Sequence, residues 1–244
     1  MTVAVENFEV NPELNTSLLA NAFKKSSRLQ IPDFLSQSAA KSILECLKTL
    51  DWRLVLNENG KHFDIHPAQI DALGPTKTNL IINAAKQRRH SQFQYLYKNY
   101  PIADMVSSGN LSEDVLIRLY ETFNSEAVLR FLNQVTCADA EFCDMQATNF
   151  QAGHFLNHHD DGVIGKNRKF AYVYSLTPEW TAELGGQLEF FDSNRKMTDA
   201  FVPAFNTLSI FSVPVMHQVS PVIEDTQKER ISITGWFRTH NSLS

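Results

Sequence analysis

Two overlapping His-x-Asp pairs are the residues of this sequence best suited to metal chemistry. They are His158 with Asp160 and His159 with Asp161, and a further histidine, His217, follows in an apolar stretch that is typical of a strand. Two histidines and one carboxylate can bind an Fe(II) ion on one face and leave its other positions open. The residue types therefore predict a mononuclear iron site, with His217 as the third ligand.

Strand geometry limits the choice between the two pairs. Residues i and i+2 of an extended strand point to the same side, so either pair can present an imidazole and a carboxylate to one ion. A shift by one residue turns every side chain to the opposite face, so only one pair can face the metal. Spacing alone leaves both pairs open.

A second candidate group follows His217 along the chain. The polar stretch Glu224–Glu229 predicts a hairpin connection, and Arg230–Phe237 predicts the returning strand. On that strand one face carries Arg230, Ser232, Thr234 and Trp236. An arginine facing a protein interior is costly unless it is paired. Because its planar guanidinium matches a carboxylate, the residue indicates a carboxylate-bearing ligand.

These residues together resemble a known family. His159-x-Asp161, His217 and Arg230-x-Ser232 are similar to the motifs of the 2-oxoglutarate- and Fe(II)-dependent dioxygenases of the prolyl-hydroxylase type. The resemblance is strongest to the branch that hydroxylates a prolyl residue of a small-subunit ribosomal protein, and it covers roughly residues 145–238. In that branch a leucine stands three positions before the metal-binding His-Asp-Asp. Leu156-Asn-His-His159-Asp-Asp161 fits this pattern, which favours His159 and Asp161.

The resemblance implies a site for each cofactor. His159, Asp161 and His217 would hold Fe(II), and Arg230 and Ser232 would bind the distal carboxylate of 2-oxoglutarate. Dioxygen would be the second co-substrate, and ascorbate an optional further cofactor. The expected reaction is hydroxylation of an unactivated C–H bond, with a prolyl residue as the favoured substrate.

Four further residues concern the substrate and the co-substrate. Trp236 can line a substrate pocket or simply fill the barrel, and Arg168 can hold the substrate or lie in a solvated loop. We predict that both contact the substrate. Ser175 stands where the family often has a tyrosine that contacts the distal carboxylate, and Phe150 stands where many prolyl hydroxylases carry a tyrosine. These two departures concern the binding of 2-oxoglutarate rather than the metal ligands.

Three alternatives to a prolyl hydroxylase remain at this point. The first is a hydroxylase of the same chemistry that acts on an amino acid or a secondary metabolite. The second is a non-catalytic β-helix that only binds. The third is a nucleic-acid demethylase, which the formal net charge of −5 disfavours because nucleic-acid partners require a basic surface. We therefore expect a peptide, protein or small-molecule substrate and no nucleic-acid partner.

The cysteine content and the absence of long apolar segments indicate in which cellular compartment the chain resides. Three cysteines without a Cys-x-x-Cys pair suit a reducing compartment, so the chain is predicted to be cytoplasmic. The first six residues lack the features of a signal peptide, and no stretch approaches the roughly 18 apolar residues of a membrane span. Membrane association is therefore not expected.

The pattern of apolar residues predicts how the site is positioned. Residues 1–244 are predicted to form a single domain, with mainly helical support over 1–140 and the metal-carrying strands over 141–238. Helices followed by closely spaced short strands indicate an α+β fold. The expected architecture is a double-stranded β-helix, or jelly roll, buttressed by the N-terminal helices.

Individual elements follow from the periodicity and the turn residues. Helices are predicted over Leu18–Lys25, Ser36–Leu50, Pro67–Leu73, Thr78–Arg89, Glu113–Phe123 and Ser125–Gln134. Strands are predicted over Leu29–Leu35, Trp52–Leu56, Gln92–Tyr97 and residues 142–150, 154–158, 170–177, 187–192, 200–204, 207–213, 215–222 and 230–238.

Overall fold

The computed structural model describes residues 8–240, so the expectation about the first six residues lies outside the described residues. Its helices are α1 (Thr16–Ser26), α2 (Gln37–Lys48), α3 (Pro67–Arg88), α4 (Ile102–Ser107), α5 (Asp114–Phe123) and α6 (Glu126–Thr136), with a short 3-10 helix at Ala182–Leu184. Its strands are β1 (Arg28–Ile31), β2 (Arg53–Glu58), β3 (Lys61–Ile65), β4 (Tyr95–Tyr100), β5 (Phe142–Cys143), β6 (Gln146–Phe150), β7 (Phe155–His159), β8 (Arg168–Ser175), β9 (Leu188–Phe191), β10 (Met197–Phe201), β11 (Thr207–Ser212), β12 (His217–Val219) and β13 (Arg230–Arg238).

The strands pair in the antiparallel order β1-β11-β8-β13-β6-β4-β7-β12-β9-β10. Strand β4 pairs with β6 near its end and with β7 near its start, and so it joins the two halves of this path. The first and last strands of the path approach each other, because Arg28 of β1 donates hydrogen bonds to Asp199 and Thr198 of β10. The path is therefore almost closed, and the predicted α+β jelly-roll fold is confirmed.

The N-terminal helices cover one side of this sheet. Helices α1, α2, α5 and α6 share a hydrophobic core with β1, β8, β11 and β13, in which Phe34 and Phe123 are fully buried. Helix α2 begins at a serine cap, since the Ser36 side chain accepts a hydrogen bond from the Ala39 N–H. The outward face of β13 contributes Ile231 and Ile233 to this core. Its inward face is left for other side chains, in agreement with the predicted alternation.

Helix α3 lies elsewhere, against β2 and β4. Its residues Ile81 and Ala85 pack on Leu56 and Leu96 in a separate small core. The helix is interrupted at Gly74, which has a φ of 74° and precedes Pro75. This interruption agrees with the two helices predicted on either side of it. No helix in the described part of the chain is long and apolar enough to cross a membrane.

The predicted hairpin at residues 224–229 is wrong. Strand β12 pairs with β7 and β9, whereas β13 pairs with β5, β6 and β8. The connection therefore runs from one half of the strand path to the other. A short polar stretch between two apolar strands is compatible with a hairpin and with such a crossing, and only the pairing of the strands distinguishes them.

Other differences concern short elements. Strand β3 and helix α4 were not predicted, because β3 is half exposed and helix α4 is short. The strand predicted over residues 142–150 is divided into β5 and β6. Between them the Asp144 carboxylate accepts a hydrogen bond from the Trp236 N–H. The predicted organisation as a single domain over residues 1–244 stays a prediction.

Candidate metal centre

The structure brings His159 and His217 side by side. They are register partners in the antiparallel pair β7–β12, and their ring centroids lie 4.1 Å apart. Nδ1 of His159 lies 2.8 Å from the Asn157 carbonyl oxygen, and Nδ1 of His217 lies 2.7 Å from that of Val215. A carbonyl can only accept, so each Nδ1 carries the proton of the neutral ring. Both Nε2 lone pairs are therefore available to a metal.

Asp161 completes a cluster with the two histidines. Its Oδ1 lies 3.4 Å from Nε2 of His159, and its Oδ2 lies 3.4 Å from Nε2 of His217. The three candidate ligand atoms all lie within 4.8 Å of one another. Two imidazoles and one carboxylate on one side of a common point are the donor set of a facial iron site.

The local electrostatics favour the deprotonated, metal-binding forms. Burial, together with the charge that His159 can carry, lowers the pKa of His217 to about 4. Burial raises the pKa of Asp161, but its close contacts with His159 and His217 outweigh burial and hold the pKa below its ordinary value. Metal ligands must be deprotonated, so little proton release from these two groups would accompany binding at neutral pH.

The alternative pair does not enter this cluster. His158 is exposed and packs on Phe191, with ring centroids 4.2 Å apart. Asp160 is exposed, and its side chain accepts a hydrogen bond from the Gly162 N–H at 2.9 Å. The sequence argument from strand alternation holds for the two histidines but not for Asp161. Strand β7 ends at His159, and Asp161 lies beyond it with a φ of 62°.

A cavity of about 280 Å³ connects the three-residue cluster with Arg230. Arg230 is 2 % exposed, and no carboxylate within residues 8–240 lies at salt-bridge distance from its guanidinium. Its Nε has no hydrogen-bond partner, and burial lowers the pKa of Arg230 to about 10. The charge lies 5.0 Å from the Phe150 ring. A buried cation without a counter-ion is costly, so this end of the cavity suits an anionic ligand.

Two serines lie beside Arg230. Ser232 follows it on the same face of β13 and is the register partner of Ser175 on β8. Both hydroxyl groups are buried without a hydrogen-bond partner. The residues that line the cavity include Arg230 but neither serine. The predicted contact of Ser232 with the co-substrate therefore stays a prediction.

The cavity has an aromatic wall that was not predicted from the sequence. Phe93, Tyr95 and Tyr97 alternate along and just before β4, and adjacent rings contact each other. Tyr97 stacks on Phe150 with ring centroids 4.9 Å apart. At the outer end, Nδ1 of His62 lies 2.7 Å from the Tyr95 hydroxyl. The predicted strand at residues 92–97 already carried this alternation, which could have placed the aromatic residues on one face.

The lining of the cavity also contains the two residues predicted to contact a substrate. The guanidinium of Arg168 lies 3.5 Å from the ring centroid of Trp236, and both residues line the cavity. Nη1 of Arg168 also donates a hydrogen bond to the backbone carbonyl of Asp161 at 2.9 Å. Arg168 therefore contacts Asp161, one of the three candidate metal ligands, which the sequence did not indicate.

The Gly185-Gly186 pair supports the Arg230 end of the cavity. Gly185 has a φ of 69° and a ψ of −150°, a region that essentially only glycine adopts. A Cβ atom at Gly185 would lie 2.0 Å from the Pro221 carbonyl oxygen, and one at Gly186 would lie 3.1 Å from Cδ of Arg230. The two glycines thus allow the backbone to pass close to β12 and its following segment.

We expect Gly185→Ala to lower the free energy of unfolding by about 2–4 kcal/mol, from backbone strain and the overlap with Pro221. Gly165→Ala is the control, since Gly165 also has a positive φ of 79°, but a Cβ atom added there would meet no atom within 4 Å. Denaturant titrations of both variants measure the difference. Equal losses in the two variants would contradict the close approach at Gly185.

A family model supports the site. Residues 145–238 match the model described as the 2OG-Fe(II) oxygenase superfamily. The matched segment contains the three clustered residues and Arg230.

Curated relatives also match. The chain is 31 % identical over 157 residues to the prolyl 3-hydroxylase OGFOD1 of Mus musculus. This match covers 61 % of this chain and 27 % of the relative. The chain is also 31 % identical over 151 residues to the prolyl 3,4-dihydroxylase OGFOD1 of Ostreococcus tauri, covering 57 % and 29 %. The chain thus spans under a third of the length of these relatives.

Solved structures share the fold across nearly the whole chain. A prolyl-4-hydroxylase from Pseudomonas putida superposes with a TM-score of 0.58 at 17 % identity and covers 99 % of this chain and 100 % of its own. A Trichoplax adhaerens prolyl hydroxylase, in complex with a hypoxia inducible factor peptide fragment, has a TM-score of 0.58 at 16 % identity, covering 91 % and 88 %. Residues 145–238 are thus similar to the 2OG-Fe(II) oxygenase superfamily, and the solved structures share the fold of this chain.

Proposed function

We propose that the protein is an Fe(II)- and 2-oxoglutarate-dependent hydroxylase that acts on a prolyl residue of a peptide or protein. The observation that carries this proposal is the shared cavity. One side holds a compact His159, Asp161 and His217 cluster, and the other holds the buried, unpaired Arg230. A metal-binding group and an isolated cation in one cavity suit a co-substrate that binds a metal at one end and carries a carboxylate at the other.

The donor set fits Fe(II). His159 and His217 would bind through Nε2, because each Nδ1 is engaged by a backbone carbonyl, and Asp161 would bind through a carboxylate oxygen. These residues would occupy one face of the ion and leave positions for other ligands. Two backbone carbonyls fix the orientation of the rings, which raises the affinity of a metal site.

The opposite end fits a carboxylate. We assign the distal carboxylate of 2-oxoglutarate to Arg230, with the unpartnered hydroxyl groups of Ser232 and Ser175 as further donors. Ser175 thereby takes the place of a tyrosine in the related pattern. An anion at this position would neutralise a charge that burial otherwise makes costly.

Bound Fe(II) with 2-oxoglutarate and dioxygen would supply the oxidising chemistry that places one oxygen atom on a C–H carbon. The residues of this chain would position the substrate and shield the reacting groups in the cavity. The aromatic wall of Phe93, Tyr95 and Tyr97 presents an apolar surface to one side of the cavity. We place the substrate against Trp236 and Arg168, which stack on each other and also line the cavity.

The substrate class is supported by the relatives and by the mouth of the cavity. The curated relatives are named prolyl hydroxylases, and one structural neighbour holds a peptide fragment. Aromatic side chains at the mouth suit the ring of a proline. We propose no nucleic-acid or membrane partner, in line with the net charge of −5. The unpaired cysteines Cys46, Cys137 and Cys143 support a cytoplasmic site of action.

The test is to incubate the protein with Fe(II), 2-oxoglutarate and a cell lysate and to search peptides by mass spectrometry for a gain of one oxygen on proline. We expect such peptides with the native protein and none with His159→Ala. Succinate formation driven by a small-molecule fraction, without an oxidised peptide, would replace the prolyl substrate by a small molecule. Absence of succinate in every fraction would instead leave a non-catalytic binding module.

A further inference from the structure

Arg168 makes three contacts on one side of the proposed metal centre. Its Nη1 donates to the Asp161 carbonyl oxygen at 2.9 Å and lies 3.9 Å from the Oδ1 of the same residue. Its guanidinium stacks on Trp236 at 3.5 Å from the ring centroid. The side chain is 15 % exposed. Arg168 is therefore fixed between the backbone of Asp161 and an aromatic ring.

Asp161 needs such a support. It lies outside β7, so no ladder of backbone hydrogen bonds from that strand defines its conformation. Its φ of 62° lies in the left-handed region, which aspartate adopts more readily than most residues but which no β-strand pairing holds in place. The carboxylate nevertheless has to face both His159 and His217. A hydrogen bond to the Asp161 carbonyl fixes the peptide unit that sets this direction.

We propose that Arg168 is a positioning residue that holds Asp161 in its metal-binding conformation, with Trp236 as the surface on which Arg168 is fixed. This inference rests on the proposed metal centre and gives Arg168 a role towards the protein's own carboxylate. The planar guanidinium suits this role, because it can stack on the indole and donate from its edge at the same time.

The direction in which metal affinity changes when Arg168 is removed distinguishes a positioning role from a purely electrostatic one. The positive charge of Arg168 lies close to the position of a divalent cation and repels it. If charge were its main influence, removing it would strengthen metal binding. If Arg168 positions Asp161, removing it would weaken metal binding. A residue that only contacts the substrate would leave metal affinity unchanged.

The experiment titrates the purified full chain with Co(II), which reports its ligand geometry in the visible absorption spectrum. We expect Arg168→Met to bind Co(II) about ten- to a hundredfold more weakly than the native protein, as for other residues that orient metal ligands. The Co(II) spectrum should also change, because the carboxylate no longer has a fixed direction. Arg168→Gln keeps an N–H donor for the Asp161 carbonyl, so we expect an intermediate affinity.

Lys169→Met is the matched control. Lys169 is the next residue on β8, carries the same charge and ion-pairs with Asp139 at 2.8 Å, away from the cavity. Its replacement should leave Co(II) affinity unchanged. Circular dichroism of each metal-free variant checks folding, and Arg168→Gln carries the test if Arg168→Met does not fold. Native-like or tighter binding by the Arg168 variants would overturn the inference alone, whereas no binding by the native protein would overturn the metal centre with it.

Discussion

His159→Ala should abolish Fe(II) binding, whereas His158→Ala should leave most of it. The two histidines are adjacent in β7 and so point to opposite faces of the strand. Nε2 of His159 lies 3.4 Å from Oδ1 of Asp161, while His158 is exposed and packs on Phe191. Removal of one of three protein ligands from a small site leaves two, which is insufficient to retain a labile divalent iron.

Metal content measured by mass spectrometry after anaerobic loading distinguishes the two variants. His158→Ala is itself the matched control, since it removes the same side chain from the neighbouring position of the same strand. Equal loss of iron in both variants, or loss only in His158→Ala, would show that Asp161 and His159 are the wrong pair. Loss only in His158→Ala would favour His158 with Asp160.

Arg230→Lys should raise the KM for 2-oxoglutarate about ten- to a hundredfold and leave the iron content unchanged. A hydrogen-bonded charge contributes about 1.5–3 kcal/mol, and lysine cannot reproduce the two parallel N–H donors of the guanidinium. The substitution keeps the positive charge at the end of the cavity. Any effect therefore reports the geometry of carboxylate binding rather than the loss of a cation.

Arg238→Lys is a suitable control for this experiment. Arg238 is at the other end of β13, where it forms an ion pair with Asp144 at 3.2 Å. We expect it to leave the KM for 2-oxoglutarate unchanged. If Arg230→Lys also behaves like the native protein in initial-rate measurements of succinate formation, another basic residue binds the carboxylate. The anion site would then have to be sought away from β13.

Local features of the sequence were sufficient for much of the fold. The serine cap of α2 and the apolar face of the helix depend on residues within one or two turns. The alternation in β13 separates Arg230 and Ser232 from Ile231 and Ile233 in the same way. Such patterns show which side of an element faces a core. They do not show which strand lies next to it.

The residues missed or misplaced depend on partners far along the chain. Strand β3 is an exception, because it pairs with the adjacent strand β2 across the turn at Asn59 and Gly60. The aromatic wall comes from Phe93 and β4, which precede His159, Asp161 and His217 by many residues. The hairpin between β12 and β13 was wrong because β7 and β9, rather than β13, are the neighbours of β12. The residues of a polar linker do not indicate which strands pair with each other.

The sequence by itself determined the residue types of the candidate metal centre and the order in which they occur. The choice of His159 over His158 followed from a motif resemblance, and the tertiary structure decided where each residue lies. Pairing of β7 with β12 brings His159 and His217 together, and the contact with Arg168 meets Asp161 after its strand has ended. Strands β7 and β12 are neighbours in the sheet although they lie far apart along the chain, and no local period indicates such a pairing. Arg168 lies only seven residues after Asp161, but the two residues meet only because the chain turns back between β7 and β8.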